Sequence, residues 1–115
     1  MDCIFCKIIA NEIPSPRVYE SKNLIVIKDI NPQAPIHNLI IPKKHIPDLN
    51  SVTEEDQEIL SEILFTAKKI SEIEGLKEKG YRIIANTGRD SGQLVPHLHF
   101  HFLGGKNLGP KIISD

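Results

Sequence analysis

Three of the five histidines in this 115-residue chain occupy alternate positions, 97, 99 and 101, in the run HLHFHFLGG. On a strand, residues two apart point to the same face. The spacing therefore predicts His97, His99 and His101 on one face, about 6.5–7 Å apart along the strand, with Leu98, Phe100 and Phe102 on the other. Neighbouring imidazoles repel when all are protonated, so they must stay mostly neutral, bond to one another, or bind an ion. Neutral imidazoles serve as nucleophiles, as acid–base groups or as metal ligands. The spacing alone leaves these open. The flanking segments narrow the choice: TGRDSGQ before the run and GGK after it are rich in glycine, which lets backbone N–H groups approach an anion closely. Asn86 and Gln93 add amide groups beside it. Amides next to neutral histidines suit a phosphate ester better than a bare carboxylate.

The elements that must position these residues can be read from pattern. Ile4, Phe5, Ile8 and Ile9 recur at helical spacing in CIFCKIIANEIP and predict a short helix. RVYES and NLIVIKDI read as two strands with Ser21, Lys22 and Asn23 as their turn. Pro32 and Pro35 break the chain, and HNLIIPKKH follows as a third strand stopped by Pro42. Residues 51 to about 74 predict one long helix, with Ser51 and Glu54 as its capping box and Ile59, Leu60, Ile63, Leu64, Ala67 and Ile70 as its apolar stripe. Gly75 or Gly80 ends it. YRIIAN is a fourth strand and VPHLHFHFL a fifth. Strands grouped around one long helix predict an α+β fold: a five-stranded antiparallel sheet, covered on one face by the long helix and open on the other.

Composition bounds the function. The chain is long enough for one domain, 1–115, and too short for two. Its net charge of −1 and lack of a basic stripe give no reason to expect nucleic acid. The start, with an acid at position 2 and no long apolar run, argues against a signal peptide, and no run approaches the roughly 20 apolar residues that span a bilayer. The expected setting is cytoplasmic, where Cys3 and Cys6 stay reduced. There C-x-x-C points to metal or redox chemistry rather than a structural disulfide. A thioredoxin-like pair fits less well, because no strand precedes the motif.

HLHFHFL matches the H-φ-H-φ-H-φ-φ signature of the histidine triad (HIT) superfamily, φ being apolar. With IFCKII, VIKDINPQAPIHNLIIPKKHI, GYRIIANTG and GQLVPHLHFHFLGG, the chain resembles its Hint branch of purine nucleoside phosphoramidases. That resemblance implies that His99 attacks the α-phosphorus of a nucleoside 5′-phosphoramidate or acyl-nucleotide, forming a nucleotidyl-histidine that water then hydrolyses. His101 would lie near the phosphate and leaving group, and His37 would help fix the tautomer of His99. Asn86, Gln93, and backbone amides near Leu94 and Val95 would hold phosphate oxygens, with Gly105 and Lys106 close to them. Asp29 would bind the ribose, and Ile4, Phe5, Ile8 and Ile30 would form the slot for the base. Read without the family, Asp29 is a strand-end turn residue and the four apolar residues are core. A subset of microbial members resembles this chain in carrying two cysteines and two histidines. That implies a structural zinc held by Cys3, Cys6, His45 and His97, with no cofactor needed for catalysis.

Leu94 stands where related Hint proteins often carry a small hydroxyl residue, and Pro96 removes a ladder N–H before His97. Two rival readings remain at this stage: a metallohydrolase in which His97, His99 and His101 all ligate a catalytic metal, and a non-enzymatic nucleotide- or partner-binding module. The family resemblance also implies a homodimer, joined through the long helix and YRIIAN into a ten-stranded sheet. An edge strand that apolar favours a partner.

Overall fold

The most apolar run in the chain, Leu24–Ile27, is sealed from water on both of its faces, and the fold is built around that fact. The structure, a computed structural model, describes residues 3–110 and 112–113. Five strands, β1 (Arg17–Glu20), β2 (Leu24–Lys28), β3 (Ile36–Pro42), β4 (Tyr81–Ile84) and β5 (Phe100–Gly104), form one antiparallel sheet in the order β1-β2-β3-β5-β4. Two helices pack against it, α1 (Ile4–Ile9) and α2 (Gln57–Ile73).

The period-two alternation of the strands divides their side chains between two cores. Leu24, Val26, Ile40 and Phe102 meet Ile63, Ala67 and Ile70 of α2. Ile25, Ile27, Leu39 and Ile41 meet Cys3, Phe5 and Ile8 of α1 and its start. The second core fills part of the face expected to be open to solvent or a ligand. The short helix covers it, so His97 and His99 are buried rather than lining a solvated surface.

The long helix begins later than its sequence suggests. Thr53 and Asp56, not Ser51 and Glu54, form the capping box, with the Thr53 N–H donating to Asp56 Oδ2 at 3.0 Å. Asp56 is the better partner because Lys44 Nζ also donates to it (2.6 Å), pinning it beneath the helix start, while Glu54 faces water. Asp48 instead caps a separate turn, accepting from the Ser51 N–H at 3.2 Å. At the other end Gly75, at φ +71°, takes the left-handed position. Leu76 N–H then reaches back to Ser71 O (2.7 Å) and closes the helix. Leu64 departs from the predicted stripe and is exposed.

The fifth strand also starts late, at Phe100 rather than Val95. Pro96 has no N–H to give a ladder, the His97 N–H turns back to Val95 O (2.8 Å), and the Leu98 N–H is taken by Ile46 O (2.6 Å). His97 and His99 therefore precede the strand, and only His101 lies within it. Among the described residues no helix is long and apolar enough to cross a membrane.

Candidate active site and metal cluster

The three alternate histidines go to three different environments, and a backbone group fixes the tautomer of two of them. A ring nitrogen facing a carbonyl must carry its proton, which leaves the other nitrogen of a neutral ring with a lone pair. His97 Nε2 lies 2.8 Å from Pro42 O, so its Nδ1 carries the lone pair. That Nδ1 points at Cys3 Sγ (3.3 Å), Cys6 Sγ (3.6 Å) and His45 Nδ1 (3.1 Å), and Cys6 Sγ lies 3.2 Å from His45 Nδ1. Tetrahedral zinc, with bonds of about 2.3 Å to sulfur and 2.0–2.1 Å to nitrogen, needs ligand atoms roughly 3.3–3.8 Å apart. All four donors lie within 4.8 Å of one another, and these contacts of 3.1–3.6 Å match that cage to within a few tenths of an ångström. The supporting contacts fit as well. The Pro42 carbonyl orients His97 from behind, and the Cys6 N–H donates to Cys3 Sγ (3.4 Å), the atom that caps α1. Burial and the neighbouring Cys3 push the Cys6 thiol up, and burial holds His97 down, toward the neutral ligand form.

His99 has the opposite tautomer. Its Nδ1 donates to His97 O at 2.7 Å, so Nε2 carries the lone pair. The edge of Phe5 packs against the ring at 5.1 Å between centroids, and Phe5 also meets the His97 ring at 5.7 Å. His101 Nδ1 lies 2.9 Å from His37 Nε2, and Asp29 Oδ2 lies 3.4 Å from that same His37 atom. Burial lowers the pKa of both His37 and His101; His99 and His37 depress His101 further, while Asp29 opposes the shift in both. The expectation that His37 orients His99 is therefore corrected. The His97 carbonyl holds His99, and His37 bonds to His101. Nor do the three alternate histidines converge on one ion: His97 joins the cysteines, while His101 joins Asp29 and His37.

A cleft of about 530 Å³ opens over His99 and His101. Ile4, Phe5 and Ile8 of α1 form one wall, and Asp29, Ile30, Asn86, Gln93, Leu94 and Val95 surround the rest. Leu94 and Ile30 stand at the rim, 91% and 95% exposed. Asp29 Oδ1 accepts from the Asn31 N–H (2.8 Å), which leaves Oδ2 toward the histidines. Gln93 lines the cleft with its amide already engaged. Oε1 accepts from the Gly88 N–H (2.9 Å), and Nε2 donates to Pro47 O (2.9 Å) and Val95 O (3.0 Å). Its hydrogen bonds brace the loop that frames the cleft. Ile27 and Leu39 also line it and were not singled out from the sequence, although strand alternation puts both on the α1 face. Gly105 and Lys106 do not approach this cleft. They line a separate depression with Lys79 and Arg82, near the C-terminal end of α2.

A family model, the HIT domain, matches residues 10–108. The chain is 49% identical over 111 residues to the purine nucleoside phosphoramidase of Escherichia coli (strain K12), covering 96% of this chain and 93% of that protein. Among solved structures it superposes on a HIT family hydrolase from Clostridium thermocellum with a TM-score of 0.94 and 52% identity, covering 97% of both chains. A histidine triad protein from Clostridium difficile gives 0.93 and 45%, with 96% of both chains covered.

Proposed function

The chain belongs to the HIT domain family, and from that premise we propose that it cleaves purine nucleoside 5′-phosphoramidates, or acyl-nucleotides, at the α-phosphorus through a nucleotidyl-His99 intermediate. The observation that carries this reading is the His99 tautomer. With Nδ1–H committed to the His97 carbonyl, Nε2 presents its lone pair in a cleft of nucleotide size. A neutral imidazole is a competent nucleophile near pH 7.

In the first step His99 Nε2 bonds to phosphorus and the P–N bond breaks. The amine departs with the bonding pair and takes a proton from solvent water. The His97 carbonyl stabilises the imidazolium character that develops on His99. In the second step a water oxygen bonds to phosphorus and loses its proton to solvent. His99 leaves as neutral imidazole, and the nucleoside monophosphate is released. His101 turns toward the phosphate the nitrogen that His37 does not hold. Asp29 is placed to accept from ribose hydroxyls, and Ile4, Phe5, Ile8 and Ile30 flank the base. Asn86 and the backbone around Leu94 and Val95 border the phosphate, with Gln93 keeping that loop in place.

Cys3, Cys6, His45 and His97 are the residues that would hold zinc. The chemistry it would supply there is structural, clamping the start of α1, and so the Ile4–Phe5–Ile8 wall, to the segment that carries His99. No metal is required by the reaction above. We read the whole chain, 1–115, as one such domain working in the cytoplasm, where its two free thiols stay reduced. Neither nucleic acid nor a membrane is among its partners. It pairs as a homodimer, for which β4 offers a sheet edge with Tyr81 and Ile83 part-exposed, and α2 offers Phe65, 69% exposed. Light scattering tests the dimer.

Rapid acid quench of the protein with an adenosine 5′-phosphoramidate, followed by intact mass, tests the reaction. A transient adduct of one nucleoside monophosphate that is absent in His99→Ala is the expected result. Nucleotide bound without adduct or product would instead make the chain a binding module.

A further inference from the structure

His37 sits behind His101 and does not line the cleft, so its influence on a ligand must pass through the bond between them. The direction of that bond is set one step further back. The Gln33 backbone N–H donates to His37 Nδ1 at 3.0 Å. A nitrogen that accepts from an N–H carries a lone pair, so neutral His37 holds its proton on Nε2. The Asp29 carboxylate oxygen, 3.4 Å from Nε2, accepts there and favours the same form. Nε2–H must then donate to His101 Nδ1 across 2.9 Å, which puts the His101 proton on its own Nε2. We propose that the Gln33 backbone N–H is a positioning group that makes His101 present an N–H, and not a lone pair, to a phosphate in the cleft.

Were the Gln33 donor absent, His37 could place its proton on Nδ1 and turn a lone pair toward His101. His101 would then protonate Nδ1 and aim its remaining lone pair at anionic phosphate oxygens, exchanging attraction for repulsion. A neutral ring does not surrender the Nε2 proton outright. It acts as a hydrogen-bond donor whose grip tightens as charge moves onto the phosphoryl oxygens. The turn that delivers the N–H is tightly built. Pro32 and Pro35 bracket it, the Gln33 side chain ties back to Asn31 O (3.1 Å), and Asn31 N–H is held by Asp29. The same tautomer closes the Asp29, His37 and His101 group to metals. Its donor atoms lie within 4.8 Å of one another, yet His37 Nε2 has no lone pair to give.

The inference deepens the reaction proposed above and rests on it for the identity of the anion, but its primary test needs no turnover. In ligand-free protein with 15N-labelled histidine rings, His37 and His101 should both show an unprotonated Nδ1 and a protonated Nε2. Replacing Gln33 with its α-hydroxy acid analogue exchanges the N–H for an ester oxygen. His37 should then populate both tautomers and His101 should follow it. Gln33→Pro, which also lacks the N–H, should repeat the effect, whereas Gln33→Ala keeps the backbone donor and should keep the wild-type tautomers. Affinity for adenosine monophosphate should fall about tenfold in the ester variant, the scale of one hydrogen bond to a charged group. A proton on His37 Nδ1 in the wild-type protein overturns the proposal. So does an ester variant whose His101 tautomer does not move, or an equal change in Gln33→Ala. Tautomers that behave as stated in a protein without phosphoramidase activity would leave the inference standing and remove the reaction instead.

Discussion

Two groups of metal-capable side chains lie within one strand's length of each other, and they do opposite things. Cys3, Cys6, His45 and His97 form one; Asp29, His37 and His101 form the other. In each, a backbone group stands behind a buried imidazole. Behind His97 it is the carbonyl of Pro42, which takes the ring's proton and leaves a lone pair facing the thiols. Behind His37 it is the N–H of Gln33, which takes the lone pair and leaves a proton facing His101. The front of each ring is thus decided from the rear. An inward lone pair suits a cation, and an inward proton begins a chain of donors that suits an anion. His99 stands between them with its proton on the His97 carbonyl, so the residue that completes the candidate metal cluster also holds the proposed nucleophile.

A substitution between the two groups should separate hydrolysis from metal binding most sharply. His99→Ala should lower phosphoramidate hydrolysis by about 10³-fold or more and remove the covalent adduct, while metal content by mass spectrometry stays at the wild-type level. Retained hydrolysis would take the nucleophile away from His99. Next in size is metal itself. One equivalent of Co²⁺ per chain should bind with a thiolate charge-transfer band, and a second should find no site. Cys6→Ser should abolish the band. Chelation should lower the melting temperature by about 10–15 °C, the scale of a ligand present at a hundred times its Kd in a domain of this size. Two tight equivalents would mean that the Asp29 group binds metal after all, and that its tautomer is not the one described.

How far these groups were legible in the sequence follows from what holds them. The strands, the long helix and the alternation that sorts Ile25 and Ile27 from Leu24 and Val26 are periodic, and periodicity is a sequence property. The C-x-x-C pair with His45 and His97 could be assembled from family resemblance, and the four donors do meet. What depended on one backbone hydrogen bond was hidden. Pro96 was seen to remove a ladder N–H, but not that His97 and His99 would leave the strand altogether. Asp56 outcompeted Glu54 as the cap because of Lys44, twelve residues away. The α1 face was legible in part: Ile4, Phe5 and Ile8 read as base slot or core, but not their packing on Ile25, Ile27, Leu39 and Ile41. No side-chain pattern announces that Gln33 matters through its amide, since every residue but proline carries one.

The smallest expected effect distinguishes the groups by pH. Burial holds the pKa of His37 and His101 below the ordinary value of about 6.5 that the unfolded chain restores. The unfolded state therefore binds more protons on acidification, so stability must fall as pH drops. The contribution of these two rings is fully present above about pH 6.5 and is lost as pH falls toward their folded values. Asp56, held low by Lys44 and the Thr53 N–H, loses its contribution only at lower pH, below about 4. Melting temperatures of metal-free protein should thus be level near neutrality, decline first below about pH 6.5, and decline again below about pH 4. His37→Gln should make the first decline shallower, since the buried His101 and His97 still contribute, and leave the second. In zinc-loaded protein the first decline should be steeper, because Cys3, Cys6, His45 and His97 must also take up protons as the metal leaves. Equal slopes with and without zinc would mean that the metal cluster contributes nothing to holding α1 on the sheet.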